Sequence, residues 1–142
     1  MSDEQRTAVG LVGEIAARGW LERHYASVEW VSGYRNIVLG DNAGSDGHGY
    51  DFIARRASGR RLYFEVKAHE GDTPEIAEFE LTEREVAAAQ QYRDAYRILL
   101  ITSALDTSSR QILELPGPLG PRGVGRYTLA GHGLRYKCTL AR

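Results

Sequence analysis

Several things are scarce in this sequence, and each scarcity excludes something. A single cysteine, Cys138, rules out an internal disulfide and any cysteine-based metal site. Net charge is almost absent, at −1 over the whole chain. There is thus no bulk electrostatic attraction to nucleic acid or to an anionic membrane, and a polyanion would have to be held by a local patch. No apolar run approaches the length that spans a bilayer. The opening residues, MSDEQRTAVG, are acidic and lack the basic and apolar regions of a secretory signal. A cytoplasmic protein with no membrane contact is the simple expectation. Internal repeats and low-complexity tracts are also lacking.

What is present suits one compact α/β domain. The 142 residues are 42% hydrophobic and 26% charged, enough apolar material for a single core. Helical spacing of Val9, Val12, Ala16 and Trp20, with Ala8, Leu11 and Ile15 beside them, predicts a helix over 4–25 with a broad buried stripe. SVEWVS (27–32) alternates as a half-buried strand. VLGDNAGSDGHG (38–49) has the composition of a loop. YDFIARR and RRLYFEVKA read as a hairpin closed by ASG, and GDTPEIAEFE (71–80) as a polar connection. Thr82-Glu83-Arg84-Glu85 is a capping box that opens a helix to about Arg93, and that role accounts for Glu85. AYRILLITS (95–103) is apolar enough for a strand covered on both faces, and RQILEL supplies another strand. Residues 1–115 therefore form the domain, a mixed sheet flanked by helices. Residues 116–142, opening on PGPLGPRGVGR, read as a Pro/Gly-rich linker and C-terminal extension with room for one added strand, LRYKCTL.

Charge within the hairpin is the feature that needs a chemical reason. Asp51 opens one strand, while Glu65 and Lys67 share one face of the next, separated by roughly 7 Å. Leu62, Phe64 and Val66 take the opposite face. Two carboxylates beside an ammonium suit Mg²⁺ or Mn²⁺, hard ions that keep water and accept phosphate oxygens. Lys67 would then orient or deprotonate a water, or stabilise charge on phosphorus. The same charges also suit a solvated strand edge guarded against aggregation.

Asp51, thirteen further residues and Glu65-Val66-Lys67 resemble the signature of the PD-(D/E)xK nuclease superfamily, and the order of elements resembles its αβββαβ core. More narrowly, GLVGEIAA, VEWVS, DGHGYDF, YFEVKA, FELTEREVAAA and YRILLI resemble the domain family named after the C-terminal region of the NO VEIN protein, over residues 9–101. The resemblance implies a restriction-endonuclease-like fold and Mg²⁺- or Mn²⁺-dependent hydrolysis of DNA. It makes Asp51, Glu65, the Val66 backbone carbonyl and Glu14 the metal ligands, and Lys67 the catalytic lysine. It further implies DNA as partner, and a helicase, ATPase or other defence-system subunit beside the domain. Cutting both strands would call for a homodimer. The alternative is a nuclease-like module that binds nucleic acid or a partner protein without turnover.

Other residues admit two readings. Arg55, Arg56, Arg60 and Arg61 at the hairpin tip suit phosphate contacts, and equally suit solubilising charge. His48 lies in the loop before Asp51, within reach of substrate or metal, or plainly exposed. Neither Gln90 nor Gln91 is followed by Tyr four residues on, so the exonuclease-type Gln-x₃-Tyr motif is not matched. Tyr92, Tyr96 and Trp30 read as packing residues.

Overall fold

The computed structural model describes residues 2–72, 76–132 and 135–141. Helix α1 (Asp3–His24) starts at Ser2, whose side chain accepts from the Gln5 N–H while Gln5 reaches back in a reciprocal capping box. Strand β1 (Ser27–Trp30) follows, then a short helix α2 (Tyr34–Leu39) that the sequence had not suggested. The hairpin pairs β2 (Phe52–Arg55) with β3 (Arg61–Ala68), Phe52 opposite Phe64. After β4 (Ile76–Leu81) come α3 (Glu83–Tyr92), β5 (Tyr96–Thr102) and β6 (Gln111–Pro116). Strands β7 (Tyr127–His132) and β8 (Arg135–Ala141) end the chain.

Five strands form a mixed central sheet in the order β1-β2-β3-β5-β6, with β3 and β5 parallel and the other neighbours antiparallel. The α/β class expected from the sequence is therefore the one observed. Helix α1 covers one face, where Val9, Ala17 and Leu21 pack with Leu62, Phe64, Val66, Leu99 and Ile101. On the other face, Ala88 and Ala89 of α3 meet Tyr96, Ile98, Phe79, Leu81 and Cys138. All seven residues of β5 are buried, as its unbroken apolar run requires. Among the described residues no helix is long and apolar enough to cross a membrane.

Three expectations need correction. Residues 76–81 are a strand rather than a polar connection. They pair with β8, burying Phe79 and Leu81 while Glu78 and Glu80 form exposed ion pairs with Lys137 and Arg135. The extension past residue 116 holds two strands, which join β4 in a three-stranded sheet ordered β4-β8-β7. On α1 the buried line is Val9, Gly13, Ala17 and Leu21, with Glu14 beside it, whereas Ile15 is exposed.

Gly13 explains that shift. A Cβ there would lie 2.5 Å from the Cβ of Ala68 on β3, so glycine lets the helix press onto the strand and carries Glu14 with it. Gly13→Val should cost about 2–3 kcal/mol by overpacking this contact. A denaturant midpoint left unchanged would refute it.

Candidate functional site

The site forms where β3 outruns β2. Their pairing ends at Phe52 and Phe64, while β3 continues beside β5 as far as Ala68. Asp51 sits at that divergence. Its backbone N–H donates to the Phe64 carbonyl at 2.8 Å, and its carbonyl accepts from the Val31 N–H at 2.9 Å. Its Oδ2 accepts from the Val66 N–H at 2.8 Å, supplying the bond that a neighbouring strand would otherwise make. A residue's N–H and C=O leave a strand on the same side, so the Val66 carbonyl faces the same open edge.

Alternation puts Glu65 and Lys67 on the α3 face, opposite Phe64 and Val66. Glu65 is only 6% exposed. The Lys67 Nζ lies 3.2 Å from Glu65 Oε2 and 2.8 Å from Glu85 Oε1. Glu85 therefore has two tasks. It closes the capping box by accepting from the Thr82 N–H at 3.2 Å, and the same oxygen anchors Lys67. The sequence shows only the first, because Lys67 and Glu85, 18 positions apart, are brought together by the fold alone.

Glu14 arrives from α1, 6% exposed. Its Oε1 accepts from Trp30 Nε1 at 2.9 Å and from Ser32 Oγ. Trp30 and Ser32 were not singled out for this role, and nothing in a strand-end Trp-x-Ser announces it. A cleft of about 160 Å³ opens here, walled by Arg6, Val9, Gly10, Glu14, Val66 and Ala68.

Two carboxylates, Glu65 and Glu85, thus hold one ammonium, and Asp51 and Glu14 lie close enough to Glu65 for their charges to interact. Burial pushes Asp51 well above the usual carboxylate range, and the charges of Glu65 and Glu14 add to the shift. Burial likewise raises Glu65 to about 8, with Lys67 opposing and Glu85 and Glu14 reinforcing. Glu14 is raised by burial, against its hydrogen bonds from Ser32 and Trp30. Burial alone would lower Lys67, but Glu65 and Glu85 outweigh it and hold the amine protonated. A neutral Glu65 and a stabilised Lys67 cation pull against each other. Two carboxylates within 3.2 Å of Nζ favour the charged lysine. Of the roles considered for Lys67, orienting a group and stabilising charge suit this cation, whereas accepting a proton does not.

Among the described residues no three Asp, Glu, His or Cys side chains stand together as a complete metal cage. The donor chemistry nevertheless fits a hard divalent ion. Such an ion takes one or two carboxylates and keeps several waters, and the surplus of buried negative charge is what a cation would relieve. Asp51, Glu65 and the Val66 carbonyl are the groups that would hold it, with Glu14 alongside.

The remaining candidates lie elsewhere. His48 is exposed on a single helical turn, Asp46–His48, and its ring centroid is 5.5 Å from that of Tyr50. It lines a cleft of about 350 Å³ with Tyr50, Arg84, Gln91 and Tyr92. Arg55 and Arg61 pair at the closed end of the hairpin, four residues and therefore about 13 Å along the strand from Asp51 and Glu65. Arg56 lies over the Tyr25 ring at 5.7 Å, and Arg56, Arg60 and Arg61 are exposed. The arginines are thus not in the carboxylate cluster.

Comparison with known families gives one match. The family model described as protein NO VEIN, C-terminal, matches residues 23–115, more than half of the chain. That span contains Asp51, Glu65, Lys67 and Glu85, and leaves Glu14 outside. No curated protein and no solved structure matches the chain. The chain belongs to the NO VEIN C-terminal family.

Proposed function

We propose that this member of the NO VEIN C-terminal family is a PD-(D/E)xK-type, Mg²⁺- or Mn²⁺-dependent endonuclease domain that hydrolyses DNA phosphodiester bonds. The observation that carries the reading is the buried excess of carboxylate charge at the open edge of β3, with Lys67 fixed inside it. A divalent ion would polarise the phosphodiester and lower the pKa of its bound water. Asp51, Glu65 and the Val66 carbonyl would hold that ion, and Glu14 would complete its surroundings. Lys67 presents a fixed positive charge where negative charge builds on the phosphate. Glu85 keeps the lysine aimed, since a flexible ammonium would lose part of its effect on entering solvent. The hairpin arginines, about 13 Å away along the strand, would contact the backbone only of a long substrate.

Cleavage of both strands would call for two sites, and therefore a dimer; a helicase, ATPase or other defence-system subunit is a separate proposed partner. The direct test is nicking and linearisation of plasmid DNA by the purified chain with Mg²⁺ or Mn²⁺, against a chelated control. Separation of the arginines from the carboxylates favours one alternative, a module that binds nucleic acid without cutting it. That alternative predicts binding that falls steeply with salt and no divalent-dependent product.

A further inference from the structure

A second charged cluster lies where β5 begins and β6 ends, sharing no residue with the carboxylate site. Arg97 is at its centre, with a side chain only 5% exposed. Its Nε donates to the Asp94 carbonyl at 2.8 Å and its Nη1 to Glu114 Oε2 at 2.7 Å. Its Nη2 is the one fully buried side-chain nitrogen or oxygen among the described residues that has no hydrogen-bond partner. A buried, charged donor left unpaired is costly, so a missing acceptor is the simplest explanation for its retention.

Arg97 forms part of the wall of a cleft of about 210 Å³, with Glu114, Leu115, Pro116, Arg122 and Arg126. That volume admits several water-sized groups, at about 30 Å³ each. The two further arginines come from PGPLGPRGVGR, which the sequence presented as an irregular linker. Residues 117–126 are instead consecutive turns, with Gly120 N–H to Gly117 O, Gly123 N–H to Gly120 O and Arg126 N–H to Gly123 O. The turns lie hard against the start of β5. A Cβ at Gly117 would come 2.3 Å from the Tyr96 carbonyl oxygen, and one at Gly120 2.7 Å from the Arg93 backbone. The Arg122 N–H donates to Asp94 Oδ1 at 3.1 Å. Glycine close packing thus fixes the backbone of the turns that carry the exposed Arg122 and Arg126, and neither guanidinium has an ion pair among the described residues.

Two carboxylates stand near these three guanidiniums, and both are engaged. Glu114 is held by Arg97 and by the Tyr25 hydroxyl at 2.5 Å, and Asp94 by the Arg122 backbone. Arg56, over the Tyr25 ring at 5.7 Å, adds positive charge near Tyr25. A group with several anionic oxygens in the cleft would balance this surplus of positive charge, and the planar guanidinium fork matches it.

We propose that the cleft of Arg97, Arg122 and Arg126 binds a phosphate group. The site stands independently of the nuclease reading. Its ligand is either a phosphate of a nucleic-acid backbone or a free phosphate, and one experiment separates them. The ¹⁵N resonance of Arg97 Nε is followed while the intact chain is titrated with inorganic phosphate, then with a short duplex DNA without divalent ions. Saturable movement with phosphate is expected. It should weaken about tenfold in Arg122→Ala/Arg126→Ala, a variant of exposed residues that keeps the wild-type melting temperature. DNA that displaces phosphate from this resonance identifies a backbone phosphate as the ligand. DNA that leaves the resonance unmoved identifies a free phosphate. The proposal is overturned if inorganic phosphate does not move Arg97, or if the double variant responds as the wild type does.

Discussion

Lys67→Ala is expected to lower divalent-dependent cleavage of plasmid DNA by about 10³-fold. Among the described residues the lysine is the one cation within 3.2 Å of Glu65 and Glu85, and a single preorganised charge facing a developing anion is worth about 10²–10³ in rate. The substitution will also weaken the fold, because removing one partner of a buried ion pair leaves the others uncompensated. Glu85→Gln separates the two effects. Glutamine preserves the capping box with Thr82, so the helix stays intact while Lys67 loses its 2.8 Å charged anchor. Cleavage should fall about tenfold with little change in melting temperature, tens of per cent of a single stabilising charge being lost to mobility. If the losses instead follow the folded fraction measured by circular dichroism, Lys67 is structural and its assigned role is wrong.

Asp51→Asn should abolish cleavage while making the metal-free protein as stable as the wild type or more so. Asparagine still offers an oxygen to the Val66 N–H but removes a charge that burial, Glu65 and Glu14 all oppose. The sign follows from linkage. A carboxyl whose folded-state pKa is raised holds more protons folded than unfolded, so stability falls as pH rises between its two values. For Glu65 that window runs from its ordinary 4.5 to about 8. Lys67 is raised above its ordinary 10.5, so its stabilising contribution is fully present below 10.5 and is lost only above it. Across pH 5–8 the carboxylates therefore set the slope. Metal-free wild type should melt lower at pH 8 than at pH 5.5, and Asp51→Asn should flatten that fall. Mg²⁺ or Mn²⁺ at a concentration about a hundred times its pH 8 dissociation constant adds about 2.7 kcal/mol at pH 8, and the same concentration adds less at pH 5.5. A wild-type melting temperature indifferent to both pH and divalent ions would contradict the charge surplus.

Much of this arrangement was legible in the sequence because it rests on local patterns. The alternation in RLYFEVKA separates Phe64 and Val66 from Glu65 and Lys67, and the apolar run of β5 announces a strand buried on both faces. Thr82 and Glu85 mark the start of α3. What stayed hidden depends on contacts distant in the chain. Helix α1 is apolar around much of its circumference, so spacing alone could not show that Gly13, rather than Val12 or Ala16, touches the sheet. The E-F-E-L alternation of β4 has meaning only once β8, more than fifty residues later, pairs with it. Glu85 as the anchor of Lys67, and Trp30 with Ser32 as the clamp on Glu14, likewise appear only when the helices dock. Arg97, within an apolar run, was read as part of a strand and carried no signal of its unpaired nitrogen.

The central claim is that the open edge of β3 holds a divalent cation. Crystals grown or soaked with Mn²⁺, with diffraction collected for anomalous scattering, test it most directly. An anomalous peak is expected between the carboxylates of Asp51 and Glu65, within bonding distance of the Val66 carbonyl oxygen and lost in Asp51→Asn. An edge without such a peak, with Asp51 still bonded to the Val66 N–H and Glu65 still paired with Lys67, would contradict it.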